Sequence, residues 1–224
     1  MNEVRQVVIC AAGTGSRLGL GLPKCLTPVQ GRPLIHWQLE LLREFENVVV
    51  VLGFKAAEAI REIRRVRPDT VMAINHDYAS TTTLDSMLLA ADSLRGDFVY
   101  LDGDLLVTAQ ALEDISRAPC PSVGIKRTYS EQPVCVTMRN GMVTGFTREK
   151  LEYEWTGLAK LDAQRVGEAR GSTYVYHAVE KMLPVAPVEI DCVEVDTPQD
   201  LKEAEEWMKE RTWSESSGRT AESA

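Results

Sequence analysis

A chain of 224 residues is long enough to bury one sizeable α/β core, and one domain is a stronger expectation than two. A net charge of −8 excludes a general nucleic-acid binder, which needs a clustered basic face to release counterions from the phosphate backbone. Cys10, Cys25, Cys120, Cys135 and Cys192 are odd in number, scattered and never arranged C-x-x-C, which excludes a disulfide framework or a zinc site, and no apolar run is long enough to span a membrane.

Met1–Gln6 lacks the basic start and cleavage site of a secretory signal and leads straight into an apolar run, so a cytoplasmic location is expected. Apolar blocks of strand length then alternate with segments of helical period. The strands fall at Val7–Ala12, Val48–Leu52, Thr70–Ile74 and Phe98–Leu101; the helices fall at Pro33–Glu44, opened by its proline, Lys55–Val66 and Thr83–Leu94. This alternation predicts an α/β fold built on an open, doubly wound, mainly parallel sheet. Ser122–Lys126, Val134–Met138 and Met142–Phe146 are short extended pieces, the last two joined by the hairpin dipeptide Asn140–Gly141, and predict a small antiparallel insert.

Thr156–Asp162 reads as a further strand, Ser172–Leu183 as a helix and Val188–Val195 as a last strand. Thr197–Pro198–Gln199–Asp200 supplies an N-cap, a proline at N1 and an acid at N3, so a closing helix should run to about Lys209. Residues 1–210 then form the domain, and the Ser-, Glu- and Gly-rich stretch 211–224 is a disordered tail or a linker to a second module.

The first strand empties into Cys10–Ala11–Ala12–Gly13–Thr14–Gly15–Ser16–Arg17–Leu18–Gly19, with Pro23–Lys24 close behind. Glycines let backbone N–H groups approach phosphate oxygens, and Arg17 and Lys24 bring two cations to the same loop, as a triphosphate requires. Leu18 stands where the dinucleotide fingerprint needs glycine, and the Gly-Lys-Ser/Thr of a Walker loop is absent. Gly13 and Gly15 taken alone serve a tight turn equally well.

Asp102 and Asp104 follow the fourth strand, at the carboxyl end of the sheet where ligands bind in open α/β folds. Acids there suit Mg2+, which takes one or two protein carboxylates and completes its octahedron with substrate oxygens and water. Asp196, between the last strand and the closing helix, should reach the same rim. A solvated turn for Asp102 and a helix-capping role for Asp196 remain open readings.

The string Ala-Ala-Gly-x-Gly-x-Arg-Leu-Gly followed by Pro-Lys-x-Leu resembles the signature of the nucleotidyltransferase family that activates sugar phosphates, phosphocholine and related alcohols. The resemblance implies a Rossmann-like nucleotidyltransferase fold in which a loop matching Ala11, Ala12, Gly13 and Gly15 wraps the nucleotide triphosphate. It implies that Arg17 and Lys24 are catalytic, stabilising the charge on the attacked phosphate and the leaving pyrophosphate, and that Asp104 and Asp196 grip the metal, with Asp102 on the nucleotide side. The segment Tyr78–Ala90 is similar to the cytidylyltransferase branch, which places Thr82, Thr83 and Ser86 at the nucleotide, although several relatives carry asparagine where Thr82 or Thr83 stands.

The insert should cover the acceptor. Lys150, Tyr153, Glu154 and Trp155 are its polar and aromatic candidates: Tyr153 or Trp155 could face a quaternary ammonium or simply pack, and Lys150 could meet an anionic group or lie on the surface. The expected partners are CTP and a small phosphate- or phosphonate-bearing acceptor that receives CMP with release of pyrophosphate. Sugar-1-phosphate nucleotidyl transfer and nucleotide binding without turnover are the alternatives. A homo-oligomer, and fusion or association with a second enzyme module through the tail, are compatible with all three.

Overall fold

The computed structural model describes residues 4–91 and 93–211. In chain order the strands are β1 (Gln6–Ala11), β2 (Pro28–Val29), β3 (Arg32–Pro33), β4 (Asn47–Leu52), β5 (Val71–Ile74), β6 (Asp97–Asp102), β7 (Leu105–Val107), β8 (Ser122–Arg127), β9 (Cys135–Arg139), β10 (Met142–Thr147), β11 (Tyr153–Asp162), β12 (Ala186–Glu189) and β13 (Cys192–Glu194). The helices are α1 (Leu34–Leu41), α2 (Ala56–Val66), α3 (Thr83–Ala91), α4 (Ala109–Arg117), α5 (Ala163–Val166), α6 (Val175–Glu180) and α7 (Pro198–Glu210).

Among the described residues, nine strands form one sheet, ordered β10-β9-β11-β6-β1-β4-β5, with β8 also on β11 and β12 on β8. The β6-β1-β4-β5 half is parallel; β11 enters antiparallel to β6 and carries the antiparallel insert with it. This is the expected doubly wound, mainly parallel fold.

Strand residues alternate between two cores because successive side chains leave opposite faces. Val7 and Ile9 of β1 pack with Ile35, Leu39, Ile63 and Ile115 of α1, α2 and α4. Val8 and Cys10 face Leu84, Met87 and Leu88 of α3 and Val179 of α6. A third cluster seats α7 through Ala204 and Met208 on Val193, Val195, Leu106 and Leu34.

The local signals account for most boundaries. Asn140 and Gly141 both take positive φ, 51° and 74°, as a two-residue hairpin of strand-compatible twist requires. The Thr197 hydroxyl accepts from the Asp200 amide at 3.2 Å, and the Asp200 carboxylate accepts from the Thr197 amide at 2.8 Å, closing the capping box of α7.

Several expectations change; among them, Ser172–Leu183 is helical only over Val175–Glu180. The first helix is shorter than Pro33–Glu44, with Pro33 serving as N-cap in an extended conformation. The expected strand Val188–Val195 is two: the Ile190 amide binds the Ile125 carbonyl at 2.9 Å, after which the chain leaves β8 and pairs with β7 instead. The helix α4 is an addition to the expected elements, and Thr108 caps it by accepting from the Ala111 amide at 3.1 Å. The expected tail lies almost wholly outside the described residues; Arg211 itself is ion-paired to Asp191 at 2.5 Å. No helix among the described residues is long and apolar enough to cross a membrane.

Candidate active site

A cleft of about 310 Å³ opens at the carboxyl ends of β1 and β6. Its lining includes Ala11, Ala12, Gly13, Gly15, Arg17, Lys24, Thr82, Thr83, Ser86, Asp102, Asp104 and Asp196. Twelve residues singled out from sequence, spread over most of the chain, thus line one cleft.

The glycine loop takes its shape from Gly15, whose φ of 63° is left-handed and whose absent Cβ would lie 3.2 Å from the Leu22 carbonyl and the Lys24 amide. Only glycine lets the loop fold back onto Pro23–Lys24 there. Leu18, buried in the third core cluster, pins the loop from below.

Lys24 opens a short turn, Lys24–Leu26, and sends its ammonium between two carboxylates: it is hydrogen-bonded to Asp104 and lies 2.5 Å from Asp196. Arg17 is ion-paired to Asp196 from the solvent side. Burial alone would lower the Lys24 pKa; the charge and hydrogen bond of Asp104, joined by Asp196, outweigh it and hold the group above its ordinary value.

Asp104 and Asp196 meet because the Val195 amide donates to the Asp104 carbonyl at 2.9 Å, stitching the end of β13 to the turn after β6. The Asp196 backbone is fixed in turn by Asp200, which accepts from its amide at 3.2 Å. The capping acid of α7 therefore also orients the site.

The turn carrying Asp104 is equally constrained. The Gly103 amide donates to the Cys10 carbonyl at 2.9 Å, and a Cβ at 103 would fall 2.5 Å from that oxygen and 2.8 Å from the Ala11 Cα. Gln38, buried on α1, donates to the carbonyls of Asp102 and Leu105 at 2.9 and 2.8 Å. Gly103→Ala is expected to force β6 away from the glycine loop, costing about 1–3 kcal/mol by overpacking. That is a fall in Tm of roughly 3–10 °C, readable in a thermal melt, with turnover falling further because Asp104 moves with the turn.

Asp102 takes a different environment from its neighbour. Its carboxylate accepts from the buried Tyr100 hydroxyl and packs against Gly157, whose φ of 83° brings the backbone in close. Burial, reinforced by the Asp104 charge, pushes the Asp102 carboxyl well above the usual carboxylate range.

The acid cluster has a member, Glu194, that is not among the sequence candidates. Ligand oxygens of Asp104, Glu194 and Asp196 all lie within 4.8 Å of one another. Glu194 and Asp196 are two residues apart at a strand end, the spacing that puts side chains on one face, and that was the available signal. Desolvation, then the Asp104 charge, pushes the Glu194 carboxyl up to about 7, although the residue as a whole is exposed. Three hard oxygen donors, already held around a cationic ammonium, fit a divalent ion such as Mg2+.

On the opposite wall, the Thr82 amide and hydroxyl donate to the Asp85 carboxylate at 2.8 Å and the hydroxyl accepts from the Asp85 amide at 3.2 Å, capping α3; Asn75, not among the sequence candidates, donates to Ser86 at 3.0 Å and Thr81 at 2.8 Å. Lys150, Tyr153 and Trp155 do not line the cleft. Lys150 is exposed, Trp155 stacks on Tyr100 with centroids 6.5 Å apart, and the Arg127 guanidinium covers Tyr153 at 4.9 Å.

A glycine loop, two cations and a cluster of three acids thus meet at the switch edge of a mainly parallel sheet. The chain belongs to the family of the MobA-like NTP transferase domain, whose model matches residues 7–159. It is 36% identical over 122 residues to the CMP-5'-(3-aminopropyl)phosphonate synthase of Streptomyces rubellomurinus, a match covering 51% of this chain and 19% of that much longer protein. Two solved structures share the fold: the inositol-1-phosphate CTP transferase from T. maritima, at TM-score 0.80 and 17% identity, covering 93% of this chain and 96% of that one. The other is the CTP:phosphocholine cytidylyltransferase LicC of Streptococcus pneumoniae, at TM-score 0.77 and 21% identity, covering 91% and 99%.

Proposed function

We propose that the chain transfers CMP from CTP to a small phosphate- or phosphonate-bearing acceptor and releases pyrophosphate. The observation that carries this reading is the Lys24 ammonium set between Asp104 and Asp196 beside the glycine loop. The likeness to a protein named for a CMP-phosphonate product supports the choice of nucleotide and of acceptor class.

In this reading an acceptor oxygen attacks the α-phosphorus while the bond to the β-phosphate oxygen breaks. A phosphate or phosphonate is already ionised at neutral pH, so no general base is required, and catalysis reduces to positioning and charge stabilisation. The backbone of Ala12–Gly15 cradles the triphosphate, and Arg17 and Lys24 meet the charge that accumulates on the leaving pyrophosphate. Asp104, Asp196 and Glu194 would hold Mg2+, which when bound would neutralise phosphate charge and favour in-line displacement. Thr82, Thr83, Ser86 and Asp102 face the nucleoside.

The test is pyrophosphate release from CTP, UTP, ATP and GTP across phosphonates, phosphocholine and sugar 1-phosphates, with and without Mg2+. Metal-dependent release with CTP and a phosphonate or phosphate monoester is expected. Turnover confined to sugar 1-phosphates would reassign the acceptor, and tight nucleotide binding without any turnover would make the chain a nucleotide-binding module.

A further inference from the structure

The cleft wall opposite the acids is built on a side-chain amide that the proposed chemistry does not use. Asn75 follows β5 directly, its backbone amide bound to the Leu52 carbonyl at 2.8 Å, and the residue is only 4% exposed. Its side chain reaches two hydroxyls of the cleft lining, Thr81 at 2.8 Å and Ser86 at 3.0 Å, from behind the wall.

The orientation of that amide is forced. Its Oδ1 lies 3.1 Å from the Asp77 backbone amide, which can only donate, so Oδ1 is the accepting end and Nδ2, with its two protons, faces both hydroxyls. A flipped amide would set donor against donor at Asp77. The Thr81 and Ser86 oxygens are therefore acceptors toward Asn75, and each hydroxyl proton points elsewhere.

Those protons have different fates. Thr81 donates to the Asp77 carbonyl at 2.9 Å and Thr82 to the Asp85 carboxylate at 2.8 Å, so both are spent inside the wall. Ser86, buried in the first turn of α3, accepts from Asn75 and donates to no group among the described residues, yet it lines the cleft. A buried donor left unmade is costly, and a ligand that brings an acceptor relieves the cost. The arrangement is fixed before any ligand arrives, since Asn75 is held by Leu52 and the Ser86 amide is bound to the Thr82 carbonyl at 3.1 Å.

We propose that Asn75 is a positioning residue that sets the polarity of this wall: by holding the Ser86 oxygen as an acceptor it commits the Ser86 hydroxyl to donate into the cleft. The bound nucleotide then has to present an acceptor there, a carbonyl oxygen, a ring-nitrogen lone pair or a sugar oxygen, and not an N–H. The proposal rests on the nucleotide-binding part of the functional reading and adds the rule by which this wall selects its ligand.

The test is calorimetric binding of CTP, with Mg2+ and no acceptor, to the parent, N75A, N75D, S86A and the double variants N75A/S86A and N75D/S86A. N75D reverses the polarity, because a carboxylate takes the Ser86 proton for itself and turns the hydroxyl lone pairs toward the ligand. It should weaken CTP binding by about 30-fold, against about 10-fold for S86A and about 3-fold for N75A, which leaves the hydroxyl to rotate. In the S86A background neither Asn75 substitution should add a further loss, the signature of an effect carried by Ser86. An asparagine that merely braces the wall would give N75A and N75D similar losses that persist when Ser86 is gone. Should N75D not fold, the cycle of N75A with S86A decides alone. Equal losses in N75A and N75D, or losses that add to that of S86A, would overturn the proposal and leave the functional reading intact. A parent chain that takes up no nucleoside triphosphate would overturn both.

Discussion

Replacing Lys24 with alanine is expected to lower kcat by about 10³-fold or more while the protein stays folded and takes up Mg2+ more tightly than the parent. The loss follows from charge: one preorganised donor aimed at a developing anion is typically worth 10²–10³ in rate, and Lys24 is a full cation in a half-enclosed cleft. The gain in metal affinity follows from geometry. In the ligand-free protein the ammonium neutralises Asp104 and Asp196, so a divalent ion has to displace it. With the lysine removed the two acids repel, and the ion becomes their sole counter-charge. Single-turnover kinetics and Mg2+ titration on one preparation read both effects. A variant with slower turnover but weaker metal binding would mean that Lys24 helps to assemble the acid set and does not compete with the ion for it.

Asp104→Asn and Asp196→Asn should each abolish Mg2+-dependent turnover, by about 10³-fold or more, but should differ in what else they disturb. Asp104 contributes its carboxylate to Lys24 alone among the described ion pairs, so its amide leaves the backbone stitching intact. Asp196 also pairs with Arg17. Its replacement should release the arginine and raise the KM for CTP as well as lowering kcat, because a cation freed from its anchor is no longer preorganised at the triphosphate. Steady-state kinetics at saturating Mg2+ separate the two variants. Identical KM values would remove Arg17 from the nucleotide site.

The parallel half of the fold is legible because each strand is an apolar run between turn residues, and burial on both faces leaves little else for such runs to do. The glycine loop and Asp104 are legible for a related reason: a carboxyl strand end is fixed as soon as the strand is. Asp196 is readable through the Thr197–Pro198–Gln199–Asp200 cap, which locates the start of α7 and hence the residue just before it.

What resists reading is partner choice. Val188–Val195 carries an apolar residue at least at every second position throughout, yet the chain leaves one sheet for another at Ile190, since apolarity does not say which backbone will supply the hydrogen bonds. The acceptor side fails for the same cause. Tyr153 and Trp155 are two apart and so share a face, packing with the cluster that contains Tyr100, while Glu154 between them points the opposite way. Its pairing with Lys126 further depends on the bulged register of β11 between Trp155 and Ala159, which no local residue pattern announces.

The hydrogen bond from Val195 to Asp104 has a temporal meaning as well. The family match ends at residue 159, but two of the three clustered acids arrive with residues 194 and 196. During synthesis the glycine loop and most of the sheet can assemble while residues 194 and 196 are still inside the ribosome. Under the proposed function, competence would be gained late and all at once, and a nascent chain stalled before residue 194 would hold the groove with one of its three acids.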